Sequence, residues 1–154
     1  MIIGLGPASG ETSLDEQPDL DRFVSAQDAG GTYDGAVQEL RRGRKQAHWM
    51  WFVFPQIAGL GLSSTSRRYA IASLAQARAY LAHPVLGRRL VECANIVATS
   101  PAESAEAIFG PVDAMKLRSS MTLFHRADPA EAVFGEVLDR YFGGTPDPET
   151  ERRL

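Results

Sequence analysis

The sequence predicts an all-α fold, a compact irregular bundle of six or more short helices in a single domain. Three observations predict it. Apolar residues recur at spacings of three and four, which gathers them on one side of a helix. Capping residues stand before these segments, and Gly or Gly-Pro stands after them. The one stretch with strand propensity, His48–Phe54, has no second strand to pair with.

The elements follow in order. Residues 1–18, rich in Gly, Ser, Pro and acids, read as a flexible N-terminal arm, and residues 19–154 as the helical domain. Asp19 caps a short helix carrying Leu20, Phe23 and Val24. A second helix runs from about Tyr33 to Arg42, with Val37 and Leu40 inward and Gly43 as its stop. His48–Phe54 is assigned to a short helix that ends at Pro55. Ser73 caps a helix whose Leu74, Ala77 and Leu81 share a face. Pro84 suits the first turn of the next, whose stripe is Leu86, Leu90, Cys93, Ala94 and Val97.

Ser100 and Glu103 fit a capping box, and the helix they open ends at Gly110-Pro111. Asp113 is placed as the cap of a helix reaching about Arg126. Asp128 opens another helix, which buries Phe134, Val137, Leu138 and Tyr141 and stops at Gly143-Gly144. A last short helix follows Asp147-Pro148.

Composition excludes several function classes. The chain has 154 residues, 44% of them hydrophobic, enough for one domain with its own core. Its net charge of −3 argues against a dedicated nucleic-acid binder, which carries a basic excess. Cys93 is the single cysteine, so the fold needs no internal disulfide. The start MIIGLGPASG lacks the features of a signal peptide, and no apolar run suits a membrane span. A cytoplasmic location with no membrane partner is the expectation. Oligomeric state is not legible.

Three stretches in order resemble one family: GRKQAHWMWFVFPQIAGLGLSS, LAHPVLGRRLVEC and IFGPVDAMKLRSSMTLF. They are similar to the bacterial domain-of-unknown-function family numbered 1810, over roughly residues 19–154. The resemblance implies an all-α fold of this length and no activity. Some members are labelled calpastatin; that inhibitor's function belongs to disordered repeats, which this chain is not.

Four constellations bear on chemistry. In KQAHWMWFVFPQ, helical spacing would put Lys45, His48, Trp49 and Phe52 on one face, with Gln56 just beyond. A cation, an imidazole and an indole together suit an anionic or planar ligand. The plainer reading is core packing of the aromatics. Gly59-Leu60-Gly61-Leu62-Ser63-Ser64 lacks the spacing of a phosphate-binding loop and reads as a turn with a Ser cap. Lys116, Ser119 and Ser120 form a polar stripe beside apolar Leu117, Met121 and Phe124. Their hydroxyls either bond the i−4 carbonyl or face a ligand. Arg41, Arg42, Arg44, Arg67, Arg68, Arg88 and Arg89 would make a phosphate patch if they converged; otherwise such cations complement helix ends.

No cofactor or metal is expected. His48, His83 and His125 lack ligand spacing, and His83 before Pro84 reads as a helix cap. Glu92 reads as a surface partner of Arg88. No catalytic residue is nominated. The ligand-binding candidates are Lys45, His48, Trp49, Gln56, Lys116, Ser119 and Ser120. They suit a small anionic, nucleotide-like ligand if the first four face the last three across a pocket. A non-catalytic interaction module built on Trp49 or Trp51 is the alternative, and nucleic-acid binding the third reading.

Overall fold

The computed structural model describes residues 20–154; the arm at 1–18 and the cap at Asp19 lie outside the described residues. Helix α1 occupies residues 20–28 and runs through a short 3₁₀ turn, Ala29–Gly31, into α2, Thr32–Arg41. Then come α3 (Met50–Val53), α4 (Ser64–Arg68), α5 (Leu74–Ala82) and α6 (Leu86–Thr99). The chain closes with α7 (Ala105–Ala127), α8 (Ala132–Phe142) and α9 (Pro148–Arg152). Extended pairing among the described residues is a single parallel bridge between Ile57 and Ile71. No helix is long and apolar enough to cross a membrane among the described residues.

Helix α7 is the axis of the bundle and packs against α5, α8 and α9, while α6 packs against α2, α5 and α8. The predicted stripe on α6 is buried throughout. Leu117, Met121 and Phe124 of α7 are buried in the same core. Aromatic rings run through the interior from Phe23 to Tyr80 (5.2 Å, edge to face), to Phe124 (5.3 Å) and to Phe134 (6.0 Å). Such pairs add about 0.5–1.5 kcal/mol each beyond area burial. Cys93 lies inside; burial pushes its thiol up to about 12, which leaves it protonated and unreactive at neutral pH.

Several predicted caps are present. The Ser63, Ser73 and Asp147 side chains accept the N–H groups of Ser66, Gln76 and Thr150. His83 Nδ1 accepts from Val85 and Leu86 at 3.1 and 3.2 Å.

Others are corrected. Ser100 ends α6, and its hydroxyl accepts from Ala102; the cap of α7 is Ser104, which accepts from Ala107 at 3.0 Å. Asp113 is no cap. The second half of α7 begins at Pro111, whose missing N–H suits a first turn. Asp128 accepts from Ala130 within the preceding turn and does not cap α8. Glu92 accepts the Tyr33 hydroxyl instead of pairing with Arg88. Ser104→Ala is therefore expected to cost about 1 kcal/mol in chemical denaturation, typical of a lost N-cap.

Gly110 breaks α7, as its place before Pro111 predicts. Its φ of 78° and ψ of 166° are open to glycine and strained for other residues. The break separates residues 105–109 from the rest of α7, and the carbonyl of Ile108 just before it accepts the Lys45 N–H at 2.7 Å.

Candidate functional site

The predicted common face of Lys45, His48, Trp49 and Phe52 does not form, because the helix begins only at Met50. Residues 44–49 are instead held by tertiary hydrogen bonds. Glu39 Oε1 accepts from Gln46 N (2.8 Å), Ala47 N (3.0 Å) and Trp49 Nε1 (2.9 Å). Burial alone would raise the Glu39 pKa, but these three donors and the nearby Lys45 hold it below its ordinary value. Trp49 is buried, at 1% exposure, against Phe54 and Phe109. His48 points to solvent and has no hydrogen bond among the described residues.

Lys45 spans the break in α7. Its backbone serves Ile108 before the break, and its ammonium reaches Asp113 Oδ2 after it, at 2.9 Å. Lys116 meets the other oxygen of Asp113 at 3.1 Å. Burial would raise the Asp113 pKa, yet the two ammoniums together hold it below the usual carboxylate range. Asp113 is shared between the two ammoniums, and Glu39, also near Lys45, offsets the second charge. The Lys45 side chain is 7% exposed and that of Lys116 is 24%, so of the two ammoniums it is Lys116 that reaches solvent. Its Nζ lies 4.8 Å from the ring centre of Trp51.

Lys116, Trp51, Gln56 and Ser119 line one cleft, of about 470 Å³. On one side are α3 and the loop that follows it; on the other are α7 and the start of α9. The walls are mostly apolar, and they carry the large hydrophobic side chains most exposed among the described residues: Leu62 (83%), Val112 (67%) and Met115 (66%). Asp147 and Glu149 close the far rim. Both carboxylates are engaged. Asp147 Oδ2 accepts from Ser119 Oγ (3.1 Å) and from Thr150 N and Oγ1 (3.0 and 2.6 Å). Glu149 pairs with Arg152 and Arg153.

Of the seven candidates, Gln56, Lys116 and Ser119 meet at the cleft, and Lys45 supports it from behind through Asp113. His48 and Trp49 do not line it. Ser120 faces the core with no hydrogen-bond partner, whereas the single Ser119 hydroxyl hydrogen has two acceptors within reach, Asp147 Oδ2 and the Met115 carbonyl, four residues back, at 3.2 Å. Sequence reasoning missed Asp113, Asp147, Val112 and Met115 as parts of this site. One signal was available: Val112, Met115, Lys116 and Ser119 stand at i, i+3, i+4 and i+7, one stripe of the second half of α7.

The Gly59–Ser64 segment is the expected turn. Gly61 is tucked against Ser66, and a Cβ there would stand 2.4 Å from its Oγ. The arginine runs are spread out. Arg89 stacks on Tyr33 in the first turn of α2 and pairs with Asp28, while Arg41 and Arg42 stand at the other end of that helix.

The crystal structure of the conserved hypothetical protein Rv1873 from Mycobacterium tuberculosis is similar to this chain, with a TM-score of 0.85 and 52% sequence identity. The match covers 88% of this chain and 96% of that one. No curated protein matches. A family model described as "Protein of unknown function (DUF1810)" matches residues 17–154, and the chain belongs to that family.

Proposed function

We propose that the cleft between Trp51 and α7 binds a small, nucleotide-like anionic ligand. The observation that carries this reading is the make-up of the cleft. Small-molecule sites typically measure about 300–1,000 Å³ and are mainly apolar, with a few placed polar groups. This cleft has that size, an indole wall, and the Gln56 carboxamide, Ser119 hydroxyl and Lys116 ammonium as its polar minority. Asp113 holds Lys116 beside the indole and leaves it with donor capacity to use.

A thermal-shift screen against nucleosides, nucleotides and sugar phosphates tests the reading. A ligand at 100 times its Kd adds about 2.7 kcal/mol. At roughly 2–4 °C per kcal/mol, the midpoint rises by several degrees. Lys116→Ala is expected to remove the rise while changing the unliganded protein by about 1 kcal/mol or less, since partly exposed ion pairs contribute little. A rise that survives Lys116→Ala, or a panel without any rise, counts against the reading. Lys45→Ala is a poorer probe, because Lys45 bridges the break in α7 and its loss is expected to lower stability by itself.

A second reading, a non-catalytic interaction module, is favoured by the exposed Leu62, Val112 and Met115 on the rim. A silent panel combined with self-association that Met115→Glu abolishes would support it.

A further inference from the structure

The cleft continues past Trp51. A smaller cavity of about 160 Å³ shares Trp51, Gln56, Gly61 and Ser66 with it, so the two are compartments of one groove. The second compartment is walled by Arg67, Tyr69 and the backbone of residues 57–59.

The two compartments differ in charge. Asp147 and Glu149 stand on the rim of the larger one, and no carboxylate lines the smaller one. Among the described residues, three groups of the smaller compartment have no hydrogen-bond or ion-pair partner: the Arg67 guanidinium, the Tyr69 hydroxyl and the Gln56 carboxamide. The neighbouring polar groups are all engaged. Ser63 donates to the Ser66 hydroxyl, which itself donates to the Ser63 carbonyl. Arg153 serves Glu149 and the Gly59 carbonyl, and Arg22 serves the carbonyls of Arg68 and Ala70. Arg68 lies over the Tyr69 ring. Arg67 is thus the uncommitted cation of this compartment, and a guanidinium presents a planar fork that matches phosphate oxygens in pairs.

We infer that the smaller compartment is a phosphoryl subsite. The ligand is then a phosphorylated planar compound that spans the groove. Its phosphoryl group meets Arg67 and the Tyr69 hydroxyl, its planar part lies against Trp51 toward Leu60 and Met115, and Gln56 reads a polar edge at the junction. This assignment rests on the reading of the larger cleft as a ligand site and adds the part of the ligand that carries the charge.

The test is a calorimetric titration of the full chain with the four common ribonucleosides and their 5′-monophosphates at low salt. At least one monophosphate is expected to bind about tenfold or more tightly than its nucleoside, the scale of a charge-assisted hydrogen bond. Arg67→Gln should erase that preference and leave nucleoside affinity and the melting temperature unchanged, since Arg67 is exposed and unpaired. Equal binding of nucleoside and monophosphate, or a preference that persists in Arg67→Gln, overturns the subsite and leaves the cleft reading standing. Absence of binding by every member of both series overturns both.

Discussion

Trp49→Ala is expected to lower the unfolding free energy by about 3–5 kcal/mol, the range for emptying a buried large aromatic site. The melting temperature should fall by on the order of 10 °C. His48→Ala, one residue earlier, should stay within about 0.5 kcal/mol, because an exposed side chain without partners contributes little. The contrast follows from the fold. The Trp49 ring fills the space beside Phe54 and Phe109, and its indole N–H is one of three donors to Glu39. Removing it leaves a void and also loosens the carboxylate that holds residues 46 and 47 in place. Urea unfolding of both variants checks the pair. A Trp49→Ala loss below about 1 kcal/mol would mean that the indole is not core.

The second large effect is at Gly87, in the first turn of α6. Replacing a helical glycine by alanine ordinarily stabilises by about 0.5–1 kcal/mol. At Gly87 the sign inverts. A Cβ there would stand 2.0 Å from the Leu81 carbonyl oxygen and 2.8 Å from its carbon, and both are backbone atoms at the end of α5. The turn between α5 and α6 would have to open. Overpacking of this kind costs about 1–3 kcal/mol and occasionally more, so Gly87→Ala is expected to lose about 3 kcal/mol. At Gly35, inside α2, an added Cβ would meet no atom within 4 Å, so Gly35→Ala should gain the ordinary increment. Denaturant midpoints of the two variants should move in opposite directions. Equal shifts would show that α5 and α6 do not approach this closely.

Much of the fold was legible because its signals are local. The stripe on α6 and the break at Gly110-Pro111 need only neighbours in sequence. So do the caps at Ser73, Ser63 and Asp147. Ser100 misled for a physical reason: it ends one helix and its hydroxyl turns to Ala102, so the next helix waits for Ser104. The candidate site was half legible. Lys116 and Ser119 were found because their helix is regular there. The face expected from Lys45 to Phe52 failed because residues 44–49 take their hydrogen bonds from Glu39 and Ile108, partners that no local periodicity encodes. Trp51 took the place expected for Trp49 once the helix began at Met50. Arg67 could not be told from its paired neighbours, since which arginine keeps a free guanidinium is decided by tertiary contacts alone.

The two tryptophans supply the most direct test of the central claim, that the cleft beside Trp51 takes a small ligand. Each gives one indole N–H signal in a nitrogen–proton correlation spectrum, and Trp49 is an internal reference because its N–H is buried on Glu39. On titration with the tightest-binding compound from the nucleotide panel, the Trp51 signal should move saturably while the Trp49 signal stays nearly still, and Lys116→Ala should weaken the titration. A bound compound that leaves the Trp51 signal in place would contradict the claim.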